Sequence, residues 1–155
     1  MTDFSTPEVY TSESATSVKS DGRSALAVGK VILSEESYAL IKDKKIKKGD
    51  VLTIAEVTGL FGAKKTSDLF AFCRPNTISE ISIEFGLNDD DYEITVQAFT
   101  KTNGLISVEM EAMTAVSTSC LAIYDMCKSA DQSIRITDIR LLSKTGGQKG
   151  GFRGA

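Results

Sequence analysis

Two adjacent segments whose apolar residues recur at every second position limit the fold more than any other feature of the chain. In ISEISIEFGL, Ile81, Ile83 and Phe85 alternate with polar residues, and YEITVQAFTKT repeats the pattern after the acidic turn NDDD. Such alternation is typical of strands with one face buried and the other in solvent. The short polar turn between them predicts an antiparallel hairpin.

A strand and a first helix are predicted before this hairpin. ALAVGKVIL, residues 25–33, is rich in β-forming residues, and its glycine, Gly29, marks the position of a β-bulge. Ser34 is a good N-cap for a helix that extends to about Lys42, because its hydroxyl can accept a hydrogen bond from a free amide of the first turn.

A second helix is predicted over residues 51–73. Asp50 is its expected N-cap, and apolar residues recur at helical spacing behind it. We expect Gly59 and Gly62 to interrupt the helix and Pro75 to end it.

The remaining segments complete the predicted fold. A long helix is predicted over about residues 105–129, and SIRITDIRLLSK supplies a last strand. The order is therefore strand, two helices, two strands, helix, strand. This order predicts an α+β ferredoxin-like sandwich, an antiparallel sheet packed by helices, with one added helix.

The chain divides into a central domain and two tails. Residues 1–20 are rich in Ser, Thr and Glu and predict a flexible arm. Residues 21–143 form a single domain. Residues 144–155 hold several glycines and two basic residues after Lys144, which predicts no stable element there. They are interpreted either as a disordered end or as a mobile lid whose amides approach phosphate.

Composition excludes several classes of function. The 155 residues are 41% hydrophobic and 25% charged, which is ordinary for one globular domain, and the net charge of −3 argues against a general nucleic-acid or anionic-membrane binder. No signal peptide or bilayer-spanning run is recognised. Three cysteines without CxxC spacing predict neither a disulfide scaffold nor a zinc site, and favour the cytoplasm. Since the chain has no histidine, proton transfer falls to Lys, Asp, Glu, Tyr or Cys.

The long predicted helix carries the strongest candidate chemistry. Asp125 and Lys128 are i,i+3 neighbours, so they form either an ordinary salt bridge or a catalytic pair. Their apolar neighbours predict a lysine pKa lowered toward neutrality, which suits proton transfer. Glu109 and Glu111 open the same helix, and about 21 Å separates Glu111 from Asp125 at 1.5 Å per residue. A compact site that uses both ends of the helix is therefore predicted to take its residues from two chains.

A basic loop provides a further candidate. Lys48 lies in KKGD, just before the predicted cap Asp50, where free amides and a lysine can meet an anion. A solvated basic turn is the alternative interpretation.

Several motifs together resemble one family. The chain is identified as a member of the cyclic pyranopterin monophosphate synthases, the molybdenum cofactor biosynthesis protein C family. The motifs occur in the family's order over about 120 residues. They are Arg23 with the small residues that follow it, KKGDV, GAKKTSDL, FCRP, VEMEAMTA, IYDMCK and RLLSKTGG.

The resemblance implies a reaction and an assembly. A cyclised derivative of GTP is rearranged to a tricyclic pyranopterin with loss of diphosphate, and no metal or organic cofactor is required. The subunits are expected to form a homo-hexamer, a trimer of dimers, with sites between subunits and no nucleic-acid or membrane partner.

The resemblance also implies residue roles. Asp125 is the expected active residue, with Lys48 and Lys128 in the acid and base steps. Segments matching residues 72–74 and 110–111 contact substrate. The full set of expected substrate-binding residues is Phe72, Cys73, Arg74, Glu109, Met110, Glu111, Arg23, Lys64 and Lys144, of which Arg23, Lys64 and Lys144 are candidates for the triphosphate.

One motif departs from the family. Its usual Leu-Cys-His-Pro is Phe72, Cys73, Arg74 and Pro75 here, and Asn76 follows where the family is usually apolar. Arginine stays charged and only donates hydrogen bonds, so Arg74 can bind phosphate or a carbonyl but cannot exchange a proton near neutral pH. An impaired paralogue that keeps the nucleotide site is therefore the second hypothesis. An RNA-binding module is the third, disfavoured because the strands lack the usual stacking motifs.

Overall fold

Residues 22–146 and 150–154 are described by the computed structural model, and they form one antiparallel sheet with helices. The predicted amino-terminal arm lies outside these ranges. In chain order the elements are β1 (Arg23–Ile32), α1 (Glu35–Lys42), α2 (Val51–Lys64), α3 (Thr66–Leu69), β2 (Glu80–Asn88), β3 (Glu93–Thr102), α4 (Glu109–Cys127), β4 (Arg135–Thr145) and β5 (Phe152–Arg153).

The sheet has the strand order β2-β3-β1-β4-β5, with neighbouring strands antiparallel. β1 to β4 alone give the order expected of a ferredoxin-like α+β sandwich. With α2 and α4 as the two helices of that sandwich, α1 is the predicted added helix, and the short α3 is a further helix that was predicted as part of α2. The predicted fold class is therefore confirmed. β5 pairs with the edge of β4 at Ser143 and Lys144. This strand was not predicted, because the glycine-rich composition of its segment does not reveal that an open strand edge is available.

The predicted hairpin and its caps are present. β2 pairs with β3 over the whole length of β2, from Glu80 with Lys101 to Asn88 with Glu93. The Asn88 side chain accepts hydrogen bonds from the amides of Asp90 and Asp91, which closes the turn. The N-cap predictions are confirmed too, since the side chains of Ser34 and Asp50 accept from the amides three residues later.

The bulge at Gly29 is confirmed and has a packing role. Pairing of β1 with β4 shifts register between Val28 and Lys30. A Cβ at Gly29 would lie 2.7 Å from Cγ1 of Val116 on α4. The missing side chain therefore lets the long helix lie directly on the centre of the sheet.

The prediction that Gly59 and Gly62 interrupt the second helix is wrong. Both lie inside α2 and are buried against α4, where a Cβ would collide with Ser119 and Thr118 respectively. The helix ends instead at Lys64, where Lys65 adopts φ −99° and ψ 5° and the short α3 begins at Thr66. The glycines thus fix the spacing of the two main helices.

Asp131 ties the end of α4 to the start of α1. It is 5% exposed, and its carboxylate accepts from the amides of Ser34 and Ser133, each at 2.8 Å, and from the Ser133 hydroxyl. Burial alone would raise the pKa of Asp131, but these hydrogen bonds outweigh it and lower the pKa to about 2.

Asp131→Asn is expected to destabilise the protein by about 2 kcal/mol at pH 7, because a carboxylate of unfolded pKa near 3.9 is stabilised when its folded pKa is lower. This contribution is complete above about pH 4 and is lost as the pH falls toward 2. Urea unfolding of wild type and variant from pH 7 to 2 should show the difference shrinking below pH 4. Asp43→Asn, at an exposed position, is the control; a difference independent of pH would contradict the assignment.

Among the described residues, no helix is long and apolar enough to cross a bilayer.

Candidate active site

A cavity of about 380 Å³ opens at the amino-terminal end of α4. Its walls come from the start of β1, the loop after α3, and the segment that leads into α4. It is lined by Arg23, Phe72, Cys73, Arg74, Ile106, Ser107, Glu109, Met110 and Glu111. Seven of these nine residues were predicted as substrate-binding. Ile106 and Ser107 were missed, and their only sequence signal is their position directly before the VEMEA motif.

Asn76 joins two of the cavity walls. Its side-chain amide donates to the carbonyl of Ile106 at 3.0 Å, and its carbonyl oxygen lies 3.3 Å from the Thr102 hydroxyl. That hydroxyl also donates to the carbonyl of Thr77 at 2.6 Å. The polar residue that replaces the apolar one expected from the resemblance therefore holds the loop bearing Phe72 to Arg74 against the lead-in of α4.

Glu111 is the most unusual group in the cavity wall. Its side chain is 5% exposed, and one carboxylate oxygen, Oε2, is buried without a hydrogen-bond partner in the described structure. Burial raises the pKa of Glu111, and the nearby charge of Glu109 raises it further. A buried acceptor without a donor costs about 1–3 kcal/mol, so a ligand that supplies N–H groups there would recover stabilisation on binding.

A basic side chain from β4 reaches the same end of α4. Lys144 Nζ lies 3.3 Å from Oε2 of Glu109, with both side chains about one-third exposed. Lys144 thus contacts the cavity wall without lining the cavity. Lys64 is exposed at the end of α2 and is not among the lining residues.

The three predicted catalytic residues meet at the other end of α4. Lys128 Nζ lies 2.7 Å from Oδ1 of Asp125, and Lys48 Nζ donates to the backbone carbonyl of Asp125 at 3.1 Å. The loop that carries Lys48 contains a tight turn. In this turn the Gly49 amide donates a hydrogen bond to the carbonyl of Ile46, and Gly49 adopts a φ of 129°.

The predicted lowering of the lysine pKa is wrong for the isolated chain. Met126 and Cys127 are buried beneath the pair, but the side chains of Asp125 and Lys128 are 68% and 52% exposed. Because Asp125 accepts a hydrogen bond from Lys128, the pKa of Lys128 is raised and that of Asp125 is lowered. Apolar neighbours in sequence lie on the inner face of the helix and do not desolvate the pair.

The two groups of residues lie at opposite ends of one helix. Glu111 and Asp125 are fourteen positions apart, about 21 Å along the axis. One chain therefore gathers most of the expected binding residues at the cavity and the proton-transfer candidates at the far end of the helix, but it does not bring these two sets into contact. No group of three or more His, Cys, Asp or Glu side chains within the described ranges is placed to hold a metal ion.

Comparison with known proteins identifies the family. A model of the MoaC family matches residues 14–147, which covers every element that forms the cavity and the lysine cluster. The chain belongs to the MoaC family. It is similar to family members in several bacteria.

Three relatives illustrate this similarity, all named cyclic pyranopterin monophosphate synthase. The protein from Salinibacter ruber is 49% identical over 88% of this chain and 81% of its own length. That from Peptoclostridium acidaminophilum is 45% identical over 84% of this chain and 82% of its own. The protein from Heliobacterium modesticaldum is 41% identical over 88% of this chain and 86% of its own length.

Proposed function

We propose that this protein is a cyclic pyranopterin monophosphate synthase, a lyase of molybdenum cofactor biosynthesis that acts in the cytoplasm. It converts (8S)-3',8-cyclo-7,8-dihydroguanosine 5'-triphosphate to cyclic pyranopterin monophosphate and diphosphate. The observation that carries this proposal is the cavity at the start of α4, which is lined by seven expected substrate-binding residues, one of which, Glu111, has an unpartnered buried carboxylate oxygen. The family and the names of its relatives support the same reaction.

The cavity wall suits the two ends of this substrate. The guanine-derived ring presents several N–H donors, and the free Oε2 of Glu111 is an acceptor without a donor. Met110 supplies an apolar surface beside it. The triphosphate requires cations, and Arg23 and Arg74 are among the residues that line the cavity. Lys144 is proposed to join them when the phosphate replaces Glu109 as its partner. Lys64, exposed at the end of α2, remains a further candidate.

Lys48, Asp125 and Lys128 are proposed to move protons. The raised pKa keeps Lys128 protonated at neutral pH, so in the resting site it is a proton donor. Asp125 fixes its ammonium group by the 2.7 Å ion pair. Lys48 lies beside the same aspartate backbone and supplies a second ammonium group for the reacting end of the substrate.

The complete site is proposed to form between two chains of a hexamer built as a trimer of dimers. A single chain keeps the lysine cluster about 21 Å from Glu111, whereas a symmetric pairing brings one end of α4 toward the other end in its partner. The outer faces of α2 and α4 carry exposed apolar side chains, which are typical of subunit interfaces. They are Ile54, Val57, Phe61, Leu121 and Tyr124, each between 41% and 61% exposed.

Incubation of the purified protein with the cyclised nucleotide tests the proposal. We expect one diphosphate and one cyclic pyranopterin monophosphate per substrate, measured by chromatography and a diphosphate assay. Arg74→His is the informative companion variant. Nucleotide binding without turnover, followed by turnover in Arg74→His, would instead support the impaired paralogue. Absence of both binding and turnover would overturn the proposed function.

A further inference from the structure

The three thiols of this chain differ sharply in accessibility. All three cysteines are free, and Cys120 and Cys127 are fully buried in the core. Burial raises the pKa of Cys120 to about 12 and is the main cause that raises the pKa of Cys127 to about 11. Cys73 is only partly buried and lines the cavity at the start of α4. One thiol per chain is therefore open to a reagent in solution.

The surroundings of Cys73 favour an anionic reagent. Arg23 and Arg74 line the same cavity, and the charge of Glu109 is offset by the ion pair with Lys144. Glu111 also lines the cavity, but it is only 5% exposed and burial raises its pKa, so its carboxyl offsets less of this positive charge than an exposed carboxylate would. A small molecule bearing carboxylates is thus drawn to within reach of the thiol.

We propose that Cys73 is a modification site, at which a small anionic disulfide forms a mixed disulfide that reversibly blocks the cavity. The Cys73 thiol loses its proton to water, and the thiolate attacks one sulfur of the disulfide. A new S–S bond forms, the old one breaks, and the second half leaves as a thiolate. The Cys73 sulfur is oxidised and the departing sulfur is reduced. A dithiol reverses the reaction by the same exchange.

Thiol counting on the full chain tests the site. With the dianionic disulfide 5,5'-dithiobis(2-nitrobenzoate), we expect one fast thiol per chain in the native protein and three after denaturation, in line with one open and two buried cysteines. Peptide mass analysis should place the label on Cys73, and Cys73→Ala should lose the fast reaction. Labelling of Cys120 or Cys127, or no fast thiol at all, would overturn the proposal.

The role of charge has a separate readout. Arg74→Gln should slow the dianionic disulfide about fivefold, since a cation nearby contributes about 1 kcal/mol in a partly wet site. The rate with the uncharged 4,4'-dithiodipyridine should change less than about twofold by the same reasoning, because it carries no net charge. Arg135→Gln, at the start of β4 opposite Ile32, is the matched control. Equal slowing of both reagents would show that Arg74 affects access and not attraction.

Only the blocking of turnover depends on the proposed function. Modified protein should lose synthase activity in proportion to labelling and regain it with dithiothreitol, while any activity retained by Cys73→Ala should resist the reagent. Labelling without loss of activity would overturn the blocking. If the unmodified protein has no synthase activity, the proposed function fails, whereas the labelled residue and the charge dependence still decide the modification site.

Discussion

Lys128→Ala is expected to lower kcat for the cyclised nucleotide by about 10²–10⁴-fold, the usual contribution of a positioned proton-transfer group. The side chain is 52% exposed and its ion pair with Asp125 lies in solvent, so the fold does not depend on it. Single-turnover measurements and thermal unfolding of the same sample separate the two effects. We expect a large loss of rate with an almost unchanged Tm.

Lys65→Ala provides a closely matched control for this experiment. Lys65 and Asp68 form another exposed i,i+3 ion pair, with a 3.8 Å separation. Lys65→Ala removes one surface lysine and one helix salt bridge. The turnover rate of this variant should remain within about twofold of the wild-type rate, since exposed ion pairs contribute little. Unchanged turnover in Lys128→Ala would remove Lys128 from the mechanism.

Mixed assemblies of two inactive variants are expected to recover activity. If each site takes Glu111 from one chain and Lys128 from its partner, a dimer of Glu111→Ala and Lys128→Ala chains contains one site with both residues intact and one with neither. Random pairing at equal amounts makes half of the dimers mixed, so about a quarter of all sites should be active. Each variant alone should be nearly inactive.

Co-expression of the two variants with different affinity tags allows the mixed species to be purified and assayed. Two differently tagged Lys128→Ala chains form the control, since their mixed dimers contain no intact site. Thermal unfolding of Glu111→Ala verifies that removal of this buried side chain leaves the protein folded. Activity of the mixed species at the control level would show that the two groups of residues do not combine across a subunit boundary.

Local patterns in the sequence determine the larger elements well. Alternation in residues 80–102 and the caps Ser34 and Asp50 each depend on neighbouring residues alone, so they were predictable. The end of α2 was not predicted, because no proline or glycine stands at the break between α2 and α3 at Lys65. Gly59 and Gly62 were misinterpreted since their effect lies in contact with another helix.

For the candidate site, the residues and the distance between the two ends of α4 were predicted, but the contacts within each cluster were not. The resemblance supplied residues of both clusters, and the cavity brings most of the binding set together. The pKa of Lys128 could not be inferred from Met126 and Cys127, because sequence neighbours on a helix face different directions. The unpartnered oxygen of Glu111 and the bonds of Asn76 depend on residues far apart in the chain, and no local pattern encodes them.

The bonds of Asn76 have a consequence for the thermodynamics of binding. They connect the loop of Phe72 to Arg74 with the start of α4 before any ligand arrives. The conformational entropy of aligning these walls is therefore lost during folding, and under the proposed function we expect little more to be lost when the substrate binds. A looser connection at this position would leave the chain folded but would make every encounter with the nucleotide entropically more costly, so its effect would fall on affinity.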